Sequence, residues 1–159
     1  MNNQNINQDL EITNIESIKA FLLAPKGGKS CTFTLSSPSG KHFTYKIKSA
    51  KGDDTRFFVN VLTGTNNEGD FAFLGTIFAE NETPQYFHGK KSKICKDADS
   101  AKGFQWLWDR TTELSKGMKF IPSCECARCG RLLTEPTSAA AKNSLGIPLG
   151  PTCRQLMNA

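Results

Sequence analysis

Between residues 31 and 63 apolar side chains return at every second position. This two-residue period constrains the fold more than any other feature of the chain. Cys31, Phe33 and Leu35 alternate with Thr32 and Thr34. Pro38-Ser39-Gly40-Lys41 then has the composition of a turn, and Phe43, Tyr45 and Ile47 resume the alternation with Lys46 and Lys48 between them. A third strand is expected over 56–63, apolar on both faces except at Asn60. After the polar stretch Asn66–Asp70, a fourth strand is expected over 71–79, again largely buried, and a fifth over 86–91. Short strands joined by short loops predict an antiparallel meander.

Helical spacing appears on either side of this region. Thr13 and Glu16 have the spacing of a capping box, and Ile15, Ile18, Phe21 and Leu22 form one stripe that Pro25, Gly27 and Gly28 end. Further on, Phe104, Leu107, Trp108, Thr111 and Leu114 share a helical face, with Asp97 or Asp99 as cap and Gly117 at the position of a C-cap glycine. Eleven Phe and two Trp suffice for a core. The expected fold class is therefore α+β: an antiparallel β-meander covered by a helix, followed by a small zinc-knuckle module. The boundaries read as a polar tail and short helix over 1–25, sheet plus helix over 26–118, and a zinc-binding module over 119–159.

Four of the six cysteines, Cys124, Cys126, Cys129 and Cys153, fall in that last segment. Cys126-x-x-Cys129-Gly130 is knuckle spacing: two thiolates grip one ion and the glycine permits the following turn. Cys153 follows Gly150-Pro151-Thr152, the start of a short helix whose dipole favours a thiolate. Cys124 is the nearest fourth ligand, with His88 or Cys95 as substitutes. One Zn2+ closed by four thiolates is a structural ion, because a catalytic zinc needs an open position. The remaining Cys31 and Cys95 are expected to be buried thiols.

The run Cys126-x-x-Cys129-Gly130-Arg131-x-Leu133, with Pro136, Ser138 and then Gly150-Pro151-x-Cys153, resembles a zinc-binding C-terminal domain of uncharacterised bacterial, phage and plasmid proteins. Upstream, Phe58–Gly64, Phe73–Ile77, Lys91–Ile94 and Phe104–Trp108 are similar to the region that precedes this domain in mobile-element members. The stretch Ala139–Leu149 is longer than the corresponding loop of that family. The resemblance implies zinc and a phage or plasmid origin, and it supplies no activity.

Charge is uneven along the chain. Eight bases meet eight acids through residue 80, and twelve meet seven thereafter, so the net +5 lies in the C-terminal half. Lys90, Lys91 and Lys93 form the densest basic run and can track phosphates or guard a strand edge. Arg128, Arg131 and Arg154 accompany the cysteines. Trp106 falls off the core stripe, flanked at four residues by Lys102 and Arg110, where it can stack a base or pack. With two histidines, no nucleophile-and-base pair and no P-loop spacing around Gly27-Gly28-Lys29-Ser30, no enzyme is expected. The N-terminus lacks signal-peptide features and no run is long enough for a membrane span, so a cytoplasmic protein is expected. The expected partner is nucleic acid, bound without catalysis through the basic half. The alternative is a host defence or replication protein, bound stoichiometrically.

Overall fold

A computed structural model of the chain describes residues 12–64, 70–80, 82–110, 114 and 117–122. The first element, α1, spans Ile15–Leu22. Its N-cap is Asn14, whose side chain accepts from the Ser17 N–H at 3.2 Å, so the expected Thr13–Glu16 box does not form. The helix starts one residue later than that box requires, which leaves Glu16 one position short of the reciprocal site. Ile15, Ile18, Phe21 and Leu22 are buried, as their spacing predicts.

Six strands follow: β1 (Ser30–Ser36), β2 (His42–Ala50), β3 (Asp53–Leu62), β4 (Phe71–Phe78), β5 (Gln85–His88) and β6 (Lys119–Pro122). They form one sheet in the order β5-β4-β3-β2-β1-β6, every pair antiparallel. The first five make the expected meander. The chain then crosses in helix α2 (Asp99–Asp109) and returns to the opposite edge as β6, beside β1. Lys119–Pro122, assigned from sequence to the zinc module, is thus a strand of the sheet. Four residues that begin with a lysine and end with a proline give too short an alternating run to read as a strand. The N-terminal segment joins the same edge, where the Ile12 N–H donates to the Phe120 carbonyl at 3.0 Å.

Helix α2 also departs from expectation. Its N-cap is Ala98, with no side-chain cap; Asp99 lies inside the first turn and its carboxylate binds Lys41 at 2.9 Å. The C-cap is Arg110, so the helix is shorter than the stripe ending at Leu114 implies. Leu114 packs at the core margin while its N–H donates to the Thr13 carbonyl at 3.1 Å. Gly117, at φ +86°, does occupy a left-handed turn, the one leading into β6 rather than a helix end.

Both helices lie on one face of the sheet, joined to it by a continuous aromatic core. Phe33 is stacked between Phe120 at 4.3 Å and Tyr45 at 5.3 Å, and Phe21 of α1 meets Phe33 and Phe120 edge-on. Phe104 of α2 packs against Tyr45 at 5.5 Å and Tyr86 at 4.7 Å. Such aromatic pairs add about 0.5–1.5 kcal/mol each beyond the burial of their area. The Tyr45 hydroxyl donates to the Ser100 carbonyl at 2.7 Å, tying α2 to the sheet centre. Gly75 is needed where it stands: a methyl there would lie 2.5 Å from the Phe87 carbonyl oxygen and 2.6 Å from the Tyr86 hydroxyl. The register of β3 with β4 shifts between Val59 and Asn60, which leaves Leu74 as a bulge residue. Among the described residues, no helix is long and apolar enough to cross a membrane.

Candidate nucleic-acid interface

The proposed zinc ligands Cys124, Cys126, Cys129 and Cys153 lie outside the described residues, as do Arg128, Arg131 and Arg154. Among the described residues, no three His, Cys, Asp or Glu side chains converge as a metal site. His88, a substitute ligand, uses its Nε2 at 2.9 Å to the Ile94 carbonyl. A carbonyl only accepts, so Nε2 carries the proton and is not free for a metal. Cys31 is buried as expected, its Sγ donating to the Phe21 carbonyl at 3.6 Å. Cys95 is exposed, contrary to expectation, because it sits in the β5–α2 loop and not in a strand.

The remaining contact candidates gather at the corner between β5 and α2. Lys90, Lys91 and Lys93 are exposed in the loop after β5. Ser92 pins that loop to β4, its hydroxyl donating to the Phe73 carbonyl at 2.7 Å. Lys102 and Trp106 line a cavity of about 270 Å³ together with Tyr86, His88, Lys96 and Asp97. The Arg110 guanidinium lies 4.7 Å from the Trp106 ring centroid. Trp106 is half-buried against the core, and Arg110 takes one of its faces. The pair is a cation–π contact more than a bare platform for a base. Trp108 lies in the core as its spacing predicts, with the Lys19 ammonium 4.9 Å from its ring.

A second surface was not anticipated from sequence. Opposite the helices, the sheet presents Phe58, Phe71, Phe73, Phe78 and Phe87. Phe87 is 54% exposed and Phe78 39%. Four of the rings are held in two edge-on pairs, Phe58–Phe73 at 6.4 Å and Phe78–Phe87 at 5.9 Å. The Lys46 ammonium lies 4.3 Å from the Phe71 centroid. Cross-strand register arranges the face in rows: Lys48 opposes Phe58, which opposes Thr76, which opposes Phe87. Lys46 opposes Asn60, which opposes Phe73, and Arg56 opposes Phe78. Cations therefore lie toward β2 and the start of β3, and rings toward β4 and β5. From Arg56 to the end of the sheet, outward positions hold no carboxylate. Arg56 does reach Asp53 at 3.3 Å, near the hairpin at the margin of the face.

The sequence did hold a signal for this surface: β3 alternates apolar residues on both faces while β2 alternates them with lysines. A strand apolar on both faces reads as buried, and the bulge at Leu74 conceals which β4 phenylalanines point outward. Comparison of the chain with protein-family models, with curated proteins and with solved structures found no match.

Proposed function

We propose that this protein binds nucleic acid without catalysing a reaction on it. The observation that carries the reading is the uncovered sheet face. There, five phenylalanines stand beside Lys46 and Lys48, with no carboxylate among the outward positions from Arg56 onward. A polyanion with aromatic bases matches that combination, since lysines release its counterions and rings stack its bases. The basic corner of Lys90, Lys91, Lys93, Lys96 and Lys102 adds positive potential beside the β5 edge.

The test is fluorescence anisotropy of the full chain with labelled DNA and RNA over a range of salt. Binding should weaken steeply with salt. Lys46→Ala with Lys48→Ala should lessen the log–log slope by about 0.7 for each single-strand phosphate that is no longer neutralised. Flat curves from a folded protein would overturn the reading. They would favour docking on a host defence or replication protein, to which the exposed Phe78 and Phe87 also lend support. Zinc on Cys124, Cys126, Cys129 and Cys153 belongs to the same proposal and is supported by their spacing. Metal analysis of the purified protein should find one zinc per chain, and the cobalt-substituted protein should show thiolate charge-transfer bands.

A further inference from the structure

We infer that the ligand is a single strand, that its bases stack on the rings toward β4 and β5, and that its phosphates run along Lys46 and Lys48 of β2. This rests on the nucleic-acid reading and specifies the class of ligand and its path. The rings decide the first part. Inside a duplex each base already stacks on its neighbours, and its faces are closed to a side chain lying on a sheet. Phenylalanine carries no donor or acceptor with which to read a groove edge, so Phe58, Phe73, Phe78 and Phe87 contribute most when bases are splayed and their faces are open. The outward cations of the paired strands are few, Lys46, Lys48, Arg56 and Lys119. A duplex read through phosphates alone would draw on a denser array.

The rows decide the path. Neighbouring strands are about 4.8 Å apart, so Lys48 and Phe87, three strands apart in one row, are separated by about 14 Å. Successive rows are two residues apart along a strand, about 7 Å. A backbone laid along β2 would therefore pass Lys46 and Lys48 in turn while its bases reach across β3 toward Phe73 and Phe87. The face is long enough for about two or three bases, the number an aromatic sheet surface of this size holds. Asn60 and Gln85 are the two side-chain amides beside the rings, and the Asn60 Nδ2 lies near the Lys46 and Phe58 carbonyls at 3.5 and 3.4 Å. Base-edge readout is correspondingly sparse, so binding should tolerate many sequences.

The experiment separates stacking from other kinds of attraction. Short labelled oligothymidylate, oligouridylate and a blunt hairpin duplex are titrated with the full chain and with two double variants, Phe58→Leu/Phe87→Leu and Phe58→Tyr/Phe87→Tyr. Folding of each is checked by circular dichroism and thermal melting. Leucine keeps the apolar area and removes the π face, whereas tyrosine keeps both. Both single strands should bind more tightly than the duplex, the leucine pair should weaken that binding on the order of tenfold or more, and the tyrosine pair should stay within about threefold of the parent. Equal binding to duplex and single strand, or single-strand binding that a folded leucine variant leaves unchanged, would overturn the inference while the nucleic-acid reading stands. Failure of every oligomer to bind would remove both.

Discussion

On the helix-covered face Phe33 has no exposure and stacks between Tyr45 and Phe120; on the opposite face Phe87, from the same sheet, keeps 54% of its surface in solvent. The covered face surrounds its rings with other apolar groups and satisfies the Tyr45 hydroxyl on the Ser100 carbonyl, while the buried Tyr86 hydroxyl has no hydrogen-bond partner among the described residues. The outer face holds four of its rings in edge-on pairs and leaves Phe78 and Phe87 exposed. The difference shows that residue type alone does not divide core from surface. Position relative to the two helices does, and it turns one amino acid into a source of stability on one side and a candidate contact on the other.

The contrast between the faces is most exposed to failure at Phe33. Phe33→Ala removes a ring packed on both sides and should cost about 3–5 kcal/mol, measured by urea denaturation. A cost below about 1 kcal/mol would mean that the covered face is not the core. Gly75→Ala forces a methyl against the Phe87 carbonyl and the Tyr86 hydroxyl and should destabilise by about 1–3 kcal/mol in the same assay. The buried tyrosines give the covered face a signature in base. Burial raises the Tyr45 hydroxyl well above its usual range, with the neighbouring Tyr86 adding to the shift, and burial raises Tyr86 likewise. A group whose folded pKa is raised supports the fold fully below its unfolded value, and that support falls as pH climbs past it. Stability should therefore decline above about pH 10, the ordinary tyrosine value, and Tyr45→Phe with Tyr86→Phe should flatten the decline. Asn14→Ala, which deletes the α1 cap, should cost about 1 kcal/mol. The smallest effect belongs to the outer face: Phe87→Ala should leave stability within about 0.5 kcal/mol of the parent. A large loss there would place Phe87 in the core and dissolve the contrast.

Much of the covered face was legible in the sequence. Alternation at Cys31, Phe33, Leu35, Tyr45 and Ile47 matches the inward set, and the stripe of α1 matches its buried residues. The interruption of α2 near Arg110 and the return of the chain as β6 were not legible. The return depends on which of the two open sheet edges the chain takes after five strands, a tertiary fact that local spacing does not encode. For the candidate site, sequence placed Lys102, Trp106 and Arg110 together correctly, because four-residue helical spacing is local. It missed the aromatic face because Phe58, Phe73 and Phe87 come from three strands and meet only through register.

The bulge at Leu74 acts on that surface as an insertion acts on a reading frame. Upstream of it the odd-numbered Phe71 and Phe73 look outward; downstream the even-numbered Phe78 does. Deleting Leu74 would restore strict alternation and leave Phe71 and Phe73 outward and Ala72 inward, so the bulge lets the strand carry one extra buried side chain without turning its rings over. A one-residue insertion or deletion that no bulge absorbs would instead turn every residue on one side of it to the other face, and the aromatic surface with it.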